Sequence, residues 1–164
     1  MPVKIGIWQR WRRSKKMQER IVEIILYLVN ELKSNKRLSD VDVSSLERDG
    51  YTPSEISSAF SWLFERLAVG QLVIAPTAGN INSHRLLNDA EKMIVSPQAA
   101  GYLMQCQQLG IISNADIEAI VERIMTAGFS SVGLTEMKSF VASYLFDIDG
   151  MNGQVAFGFN DTIH

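Results

Sequence analysis

A chain of 164 residues has about the length of one domain and can bury a core without disulfide or metal staples. Its composition, 46% hydrophobic and 21% charged with four prolines, excludes wholesale disorder and collagen-like or mucin-like architectures. One cysteine, Cys106, excludes an internal disulfide framework and most zinc sites, and two histidines leave little for metal or general-base chemistry.

The net charge of −2 hides two opposite parts. Residues 1–20 carry Lys4, Arg10, Arg12, Arg13, Lys15, Lys16 and Arg20 against Glu19, a net of +6, while the rest of the chain nets −8. A basic arm on an acidic body is the pattern of an interaction tail. Within the arm two indoles, Trp8 and Trp11, interleave with five cations, the mixture that single-strand binders use for stacking and backbone charge. Arg10, Trp11, Arg12, Arg13, Lys15 and Lys16 are therefore the candidate nucleic-acid-binding residues. Competing readings are a solvated, loosely ordered terminus, an interfacial membrane segment, or a start of translation at Met17. The apolar run that follows, Ile21 to Val29, contains Glu23 and is far short of the ~20 residues of a membrane span. With no small-residue cleavage site after it, a cytoplasmic chain is expected.

Taken in chain order, Met17 to Leu32 has apolar residues at intervals of three and four, which predicts a long, deeply buried helix. Asp42 to Asp49 forms a short helix, with Gly50 where a C-terminal cap belongs. Thr52-Pro53-Ser54-Glu55 is a strong helix start, with a capping threonine, proline at the first position and a glutamate closing the box. The helix it opens carries Ile56, Ala59, Phe60, Leu63 and Leu67 on one stripe and stops near Gly70. The apolar runs 71–75 and 84–87, separated by a turn-rich segment, predict a β-hairpin. Asn88 with Glu91 caps a short turn or helix, Pro97 starts a helix to Leu109, Asn114 caps the next, and a last helix spans 135–146. Glycines and polar residues then predict a loose tail.

This order predicts a mostly α protein. A winged-helix-like N-terminal half, helices plus one β-hairpin, is followed by a three-helix C-terminal part. Its divisions are a basic flexible arm over 1–16, the winged-helix-like part over 17–88, a helical part over 89–147 and a flexible tail over 148–164. In a winged helix the second helix enters the major groove. Residues 38–69 nevertheless net −4, which is repulsive toward a duplex carrying a charge every ~1.7 Å.

No motif here supplies catalysis. Counted from Asp147, a calcium loop would need an oxygen ligand, glycine and glutamate at its fifth, sixth and twelfth positions, and the chain has Met151, Asn152 and Gly158. Cys106 sits mid-helix among apolar residues, with only His84 as a conceivable activating base. No catalytic, metal or cofactor-binding residues are therefore assigned, and no cofactor is expected.

The helices in order do resemble a known family. Ile24-Ile25-Leu26-Tyr27-Leu28, Leu46 through Gly50-Tyr51, Ala59-Phe60-Ser61-Trp62-Leu63, and Arg85-Leu86 followed by Glu91 are similar to the Smg family of small bacterial proteins. Gly101-Tyr102-Leu103, Gly110-Ile111-Ile112, Val121-Glu122-Arg123, and Lys138 leading to Leu145-Phe146 continue the match over residues 17–147. Leu87 departs from the aromatic that many members have after the Arg-Leu pair. The resemblance implies a helical, cytoplasmic bacterial protein with no established activity, cofactor or catalytic residues to carry over, and members begin near Met17. The expected function is a non-enzymatic adaptor or regulator that binds another protein through an acidic helical surface. The alternative is nucleic-acid binding by the winged-helix-like part with the arm as anchor.

Overall fold

The computed structural model describes residues 2–72 and 87–161, with side chains for 16–72 and 87–147. Among the described residues seven α-helices run α1 (Pro2–Lys33), α2 (Val43–Arg48), α3 (Pro53–Ala68), α4 (Asp89–Ile94), α5 (Pro97–Gln108), α6 (Asn114–Thr126) and α7 (Leu134–Asp161), with a 3-10 turn at Leu38–Asp40.

The core forms around α1. Ile21, Val22, Ile24, Ile25, Leu26, Leu28 and Val29 are all buried, which requires cover on more than one side. α3 and α7 supply it, and α5 packs on α7 in turn. α3 contributes Ile56, Ala59, Trp62 and Leu63; α7 contributes Met137, Val141, Ala142 and Leu145. α6 closes the far side with Ile117, Ile120, Val121 and Ile124.

The caps set the helix boundaries. The Thr52 hydroxyl accepts from the Glu55 N–H at 3.2 Å while the Glu55 carboxylate accepts from the Thr52 N–H at 2.9 Å, and Pro53 occupies the first turn. Asn88 and Glu91 repeat the box before α4. Before α6 the cap is Ser113, not the expected Asn114, because Asp116 stands three residues after Ser113 and returns its bond to the Ser113 N–H.

The hairpin expectation is corrected. Among the described residues there is no strand, only one parallel bridge between Val95 and Val132. The expected strand start at 70–72 is instead the end of α3. The Gly70 N–H donates to Leu67 and the Gln71 N–H to Arg66, a Schellman closure with Gly70 at φ +72°. Leu72 is then buried, with its side chain 3.6 Å from where a Cβ on Gly110 would lie. A glycine followed two residues later by a leucine thus marks a helix stop, and the winged-helix-like description falls with the strand. The remainder of the expected hairpin, 73–86, lies outside the described residues, apart from Leu87, which leads as coil into α4.

The first and last helices run further than the spans expected for them. Residues 2–16 are helical backbone continuous with the rest of α1, about 48 Å of helix at 1.5 Å per residue. α7 likewise continues through Gly150 and Gly153 to Asp161, past the end expected near Phe146.

Truncating Ile25, fully buried at the centre of α1, to alanine is expected to cost about 2–5 kcal/mol. Phe64→Ala on the exposed face of α3 is expected to cost about 0.5 kcal/mol or less. Urea unfolding of the two variants checks the contrast.

Candidate functional site

The narrow polar face of α1 is where charged side chains from distant parts of the chain meet. Its Arg20 donates from Nε to Glu55 Oε1 at 2.8 Å and lies 4.9 Å from the centre of the Tyr51 ring. Arg20 also donates to the Gly50 carbonyl. Glu23, one turn on, accepts from the Tyr51 hydroxyl at 2.9 Å and from Lys138 Nζ at 3.1 Å. Glu19 accepts from the Ser139 hydroxyl. This seam ties the α2–α3 turn to α7 across α1.

Beside the seam lies an open cleft of about 540 Å³, lined by Glu23, Leu26, Tyr51, Leu134 and Lys138 and by one face of α5. That face is Gln98, Gly101, Tyr102 and Gln105, at the three- and four-residue spacing of a single helix side. It carries no charge. Gly101 stands mid-helix with no positive φ and, among the described residues, nothing within 4 Å of where its Cβ would be, so neither backbone nor described packing requires glycine there.

The electrostatics of the seam are fixed. Burial by itself would raise the Glu55 carboxyl, but the Arg20 hydrogen bond, the Thr52 N–H and the Arg20 charge outweigh it and hold the group below its ordinary value. The same hydrogen bond to Glu55 raises Arg20. Burial, then the Glu23 carboxylate, pushes the Tyr51 hydroxyl up to about 12. Tyr102 is driven upward chiefly by burial, and its neighbour Cys106, buried in α5, is pushed up to about 12 by the same cause. Cys106 is therefore a neutral thiol at physiological pH, unsuited to nucleophilic attack. The only base suggested for it, His84, lies outside the described residues. Among the described residues no cluster of His, Cys, Asp and Glu could hold a metal ion.

Of the six candidates in the arm, all lie on the N-terminal half of α1, and only Lys16 has a described side chain, which is exposed. Lys16 is not among the seam residues. Sequence reasoning missed the seam because its members are up to 120 residues apart. A signal was available in part: Leu26, Gly50-Tyr51, Gly101-Tyr102 and Lys138 all belong to segments carrying the family resemblance, and all border the cleft or its seam.

Comparison with known proteins agrees with that resemblance. The family described as "Protein of unknown function (DUF494)" matches residues 21–160. The chain belongs to this family, the Smg proteins. The Smg homologue of Alkalilimnicola ehrlichii is 29% identical over 138 residues, covering 82% of this chain and 87% of its own. That of Xylella fastidiosa strain M23 is 30% identical over 147 residues, covering 85% and 90%. The Smg protein of Buchnera aphidicola (strain Tuc7) is 27% identical over 135 residues, covering 78% and 85%. No solved structure matches. Among the described residues no helix is long and apolar enough to cross a membrane.

Two expectations follow from the geometry. Glu55→Gln keeps a capping side chain but removes the charge facing Arg20, and should cost about 1–2 kcal/mol at pH 7. Because the folded value of Glu55 is depressed, its contribution is full above the unfolded value of about 4.5 and fades as pH falls through the folded one. The wild-type and variant stability curves should therefore converge in acid, read by chemical unfolding from pH 7 to pH 3. Gly101→Ala should raise stability by about 0.5–1 kcal/mol, since a methyl meets open space and glycine is the poorer helix former.

Proposed function

We propose that this Smg protein is a non-enzymatic adaptor or regulator whose cleft between α1, α5 and α7 receives a segment of another protein. The observation that carries the reading is Gly101. A glycine inside a helix costs stability relative to alanine, and among the described residues nothing approaches closely enough to repay that cost. A partner's backbone pressed against α5 would need the space that a side chain at Gly101 would fill. Gln98 and Gln105 flank the site as neutral donors and acceptors, and Leu134, 40% exposed, adds an apolar contact.

The surrounding surface fits a protein better than a phosphate backbone. Asp40, Asp42, Glu47 and Asp49 are all exposed around α2, and Asp49 is near enough to act on Tyr51 at the cleft. The outer side of α3 presents Ser54, Ser57, Ser61, Phe64, Glu65 and Ala68, with no cation among them. Phe64 is 55% exposed and sits 6.4 Å from Phe60, an aromatic pair in the position that a DNA reader would fill with basic residues. The Tyr51 and Cys106 values near 12 leave neither group poised for proton transfer near neutrality, which also favours binding over turnover. Nucleic-acid binding remains the competing reading on one observation, the strong basic excess of residues 1–20.

The test is cross-linked capture from a bacterial lysate with three baits: the full chain, Gly101→Trp and a chain starting at Met17. The expected result is a protein captured in stoichiometric amount by the full chain and the shortened one, unaffected by nuclease, and lost with Gly101→Trp. Capture that disappears with nuclease or with the arm overturns the reading in favour of nucleic acid.

A further inference from the structure

α5 separates two depressions. Its cleft-facing side is Gln98, Gly101, Tyr102 and Gln105; its other side, roughly 140° around the helix at 100° per residue, is Pro97, Ala100, Leu103 and Met104. The second side floors a groove of about 340 Å³ that is closed by Lys92 from α4, by Val95 just after it and by Ile117 from α6. A volume of that order lies at the small end of ligand sites and has room for roughly ten water-sized groups.

The chemistry of the groove is one-sided. Its walls are aliphatic, and the nearby backbone is already satisfied. The Val95 N–H donates to Glu91, the Ser96 N–H donates to the Val132 carbonyl at 2.9 Å, and the Val132 N–H donates to the Ile94 carbonyl at 2.8 Å. Water in such a site has few partners, whereas a hydrocarbon gains about 0.8 kcal/mol per methylene buried. Among the described lining residues, one charge stands at the edge. Lys92 lines the groove, is exposed, and forms no ion pair among the described residues. Its neighbour Glu91 is turned inward to the Asn88 N–H, and Asp89 is exposed at the start of α4. Met104 is 38% exposed, so the opening is walled by a flexible, polarisable side chain that adapts to an apolar guest.

We propose that the groove between α4, α5 and α6 binds a single-chain aliphatic carboxylate, its hydrocarbon against Val95, Ala100, Leu103 and Ile117 and its head at the Lys92 ammonium. This site is separate from the protein-binding cleft, and its outcome does not depend on that reading.

The probe is monomeric dodecanoate, titrated into the full chain with the methionine methyl signals followed by NMR. Met104 should shift saturably, while Met93, 84% exposed and outside the lining, and Met137, buried in the core, should stay in place. Lys92→Gln should weaken dodecanoate by roughly tenfold or more, the loss of one charge-assisted contact, and leave dodecanol binding unchanged. Met104→Glu, a substitution at a partly exposed position, should abolish binding of both. An unmoved Met104, equal dodecanoate affinity in Lys92→Gln, or a response only where dodecanoate aggregates overturns the proposal. So does binding to phosphatidylglycerol vesicles without a response to the monomer, which would make the groove a lipid-surface contact.

Discussion

Between Ile21 and Val29, seven apolar side chains of α1 are exposed by 9% or less, and they spread over about 200° of the helix circumference. A surface helix needs an apolar stripe of only about half that width. α1 therefore has to be covered from two directions, and the rest of the chain is arranged to do so, with α3 on one side and α7 on the other. Each buried aliphatic side chain is worth about 1.5–3 kcal/mol, against a net stability of about 5–15 kcal/mol for a typical domain. Among the described residues no other helix buries as many apolar side chains within nine positions, so α1 sets where its neighbours sit.

The same width determines where the polar seam falls. Glu19, Arg20, Glu23 and Tyr27 occupy the arc that the apolar residues leave, and its edges are the lines along which α3 and α7 approach. Charges at such a boundary are partly withdrawn from water and must find partners. Arg20 with Glu55 meets that demand on the α3 side, and Glu23 with Lys138 on the α7 side. Tyr51 links the two pairs through its ring and its hydroxyl. Among the described residues no buried side-chain nitrogen or oxygen lacks a partner. The hydrogen-bonding groups of the seam are thus answered by one another.

What the sequence made legible was local. Thr52-Pro53-Ser54-Glu55 and Asn88 with Glu91 announce helix starts because a cap needs only four residues, all adjacent. The same rule, applied strictly, selects Ser113 over Asn114, since only Ser113 has an acidic residue at the third helical position. Gly70-Gln71-Leu72 was ambiguous for a physical reason: a helix stop and a strand start both want a glycine followed by an apolar residue, and the hydrogen bonds to Arg66 and Leu67 decide between them. The length of α7 was illegible because Gly150 and Gly153 weaken local helix propensity, which says nothing of what extends a helix from outside. The seam and the cleft were illegible as chemistry because Glu23, Tyr51, Gly101 and Lys138 share no local pattern. They came into view only as pieces of a family resemblance.

Gly101 and Lys92 present the same argument from opposite directions. Each is a feature that the described part of the fold does not itself use, and each underlies a proposed contact. At Gly101 the missing element is bulk: the helix gives up propensity and the space in front of it stays open. At Lys92 it is charge: an ammonium stands beside aliphatic walls whose backbone is already bonded. The seam between α1, α3 and α7 differs from both, because each of its charges is answered within the chain. The seam therefore holds the architecture, and the two sides of α5, one uncharged and open, the other aliphatic beside Lys92, are where the two proposed sites lie.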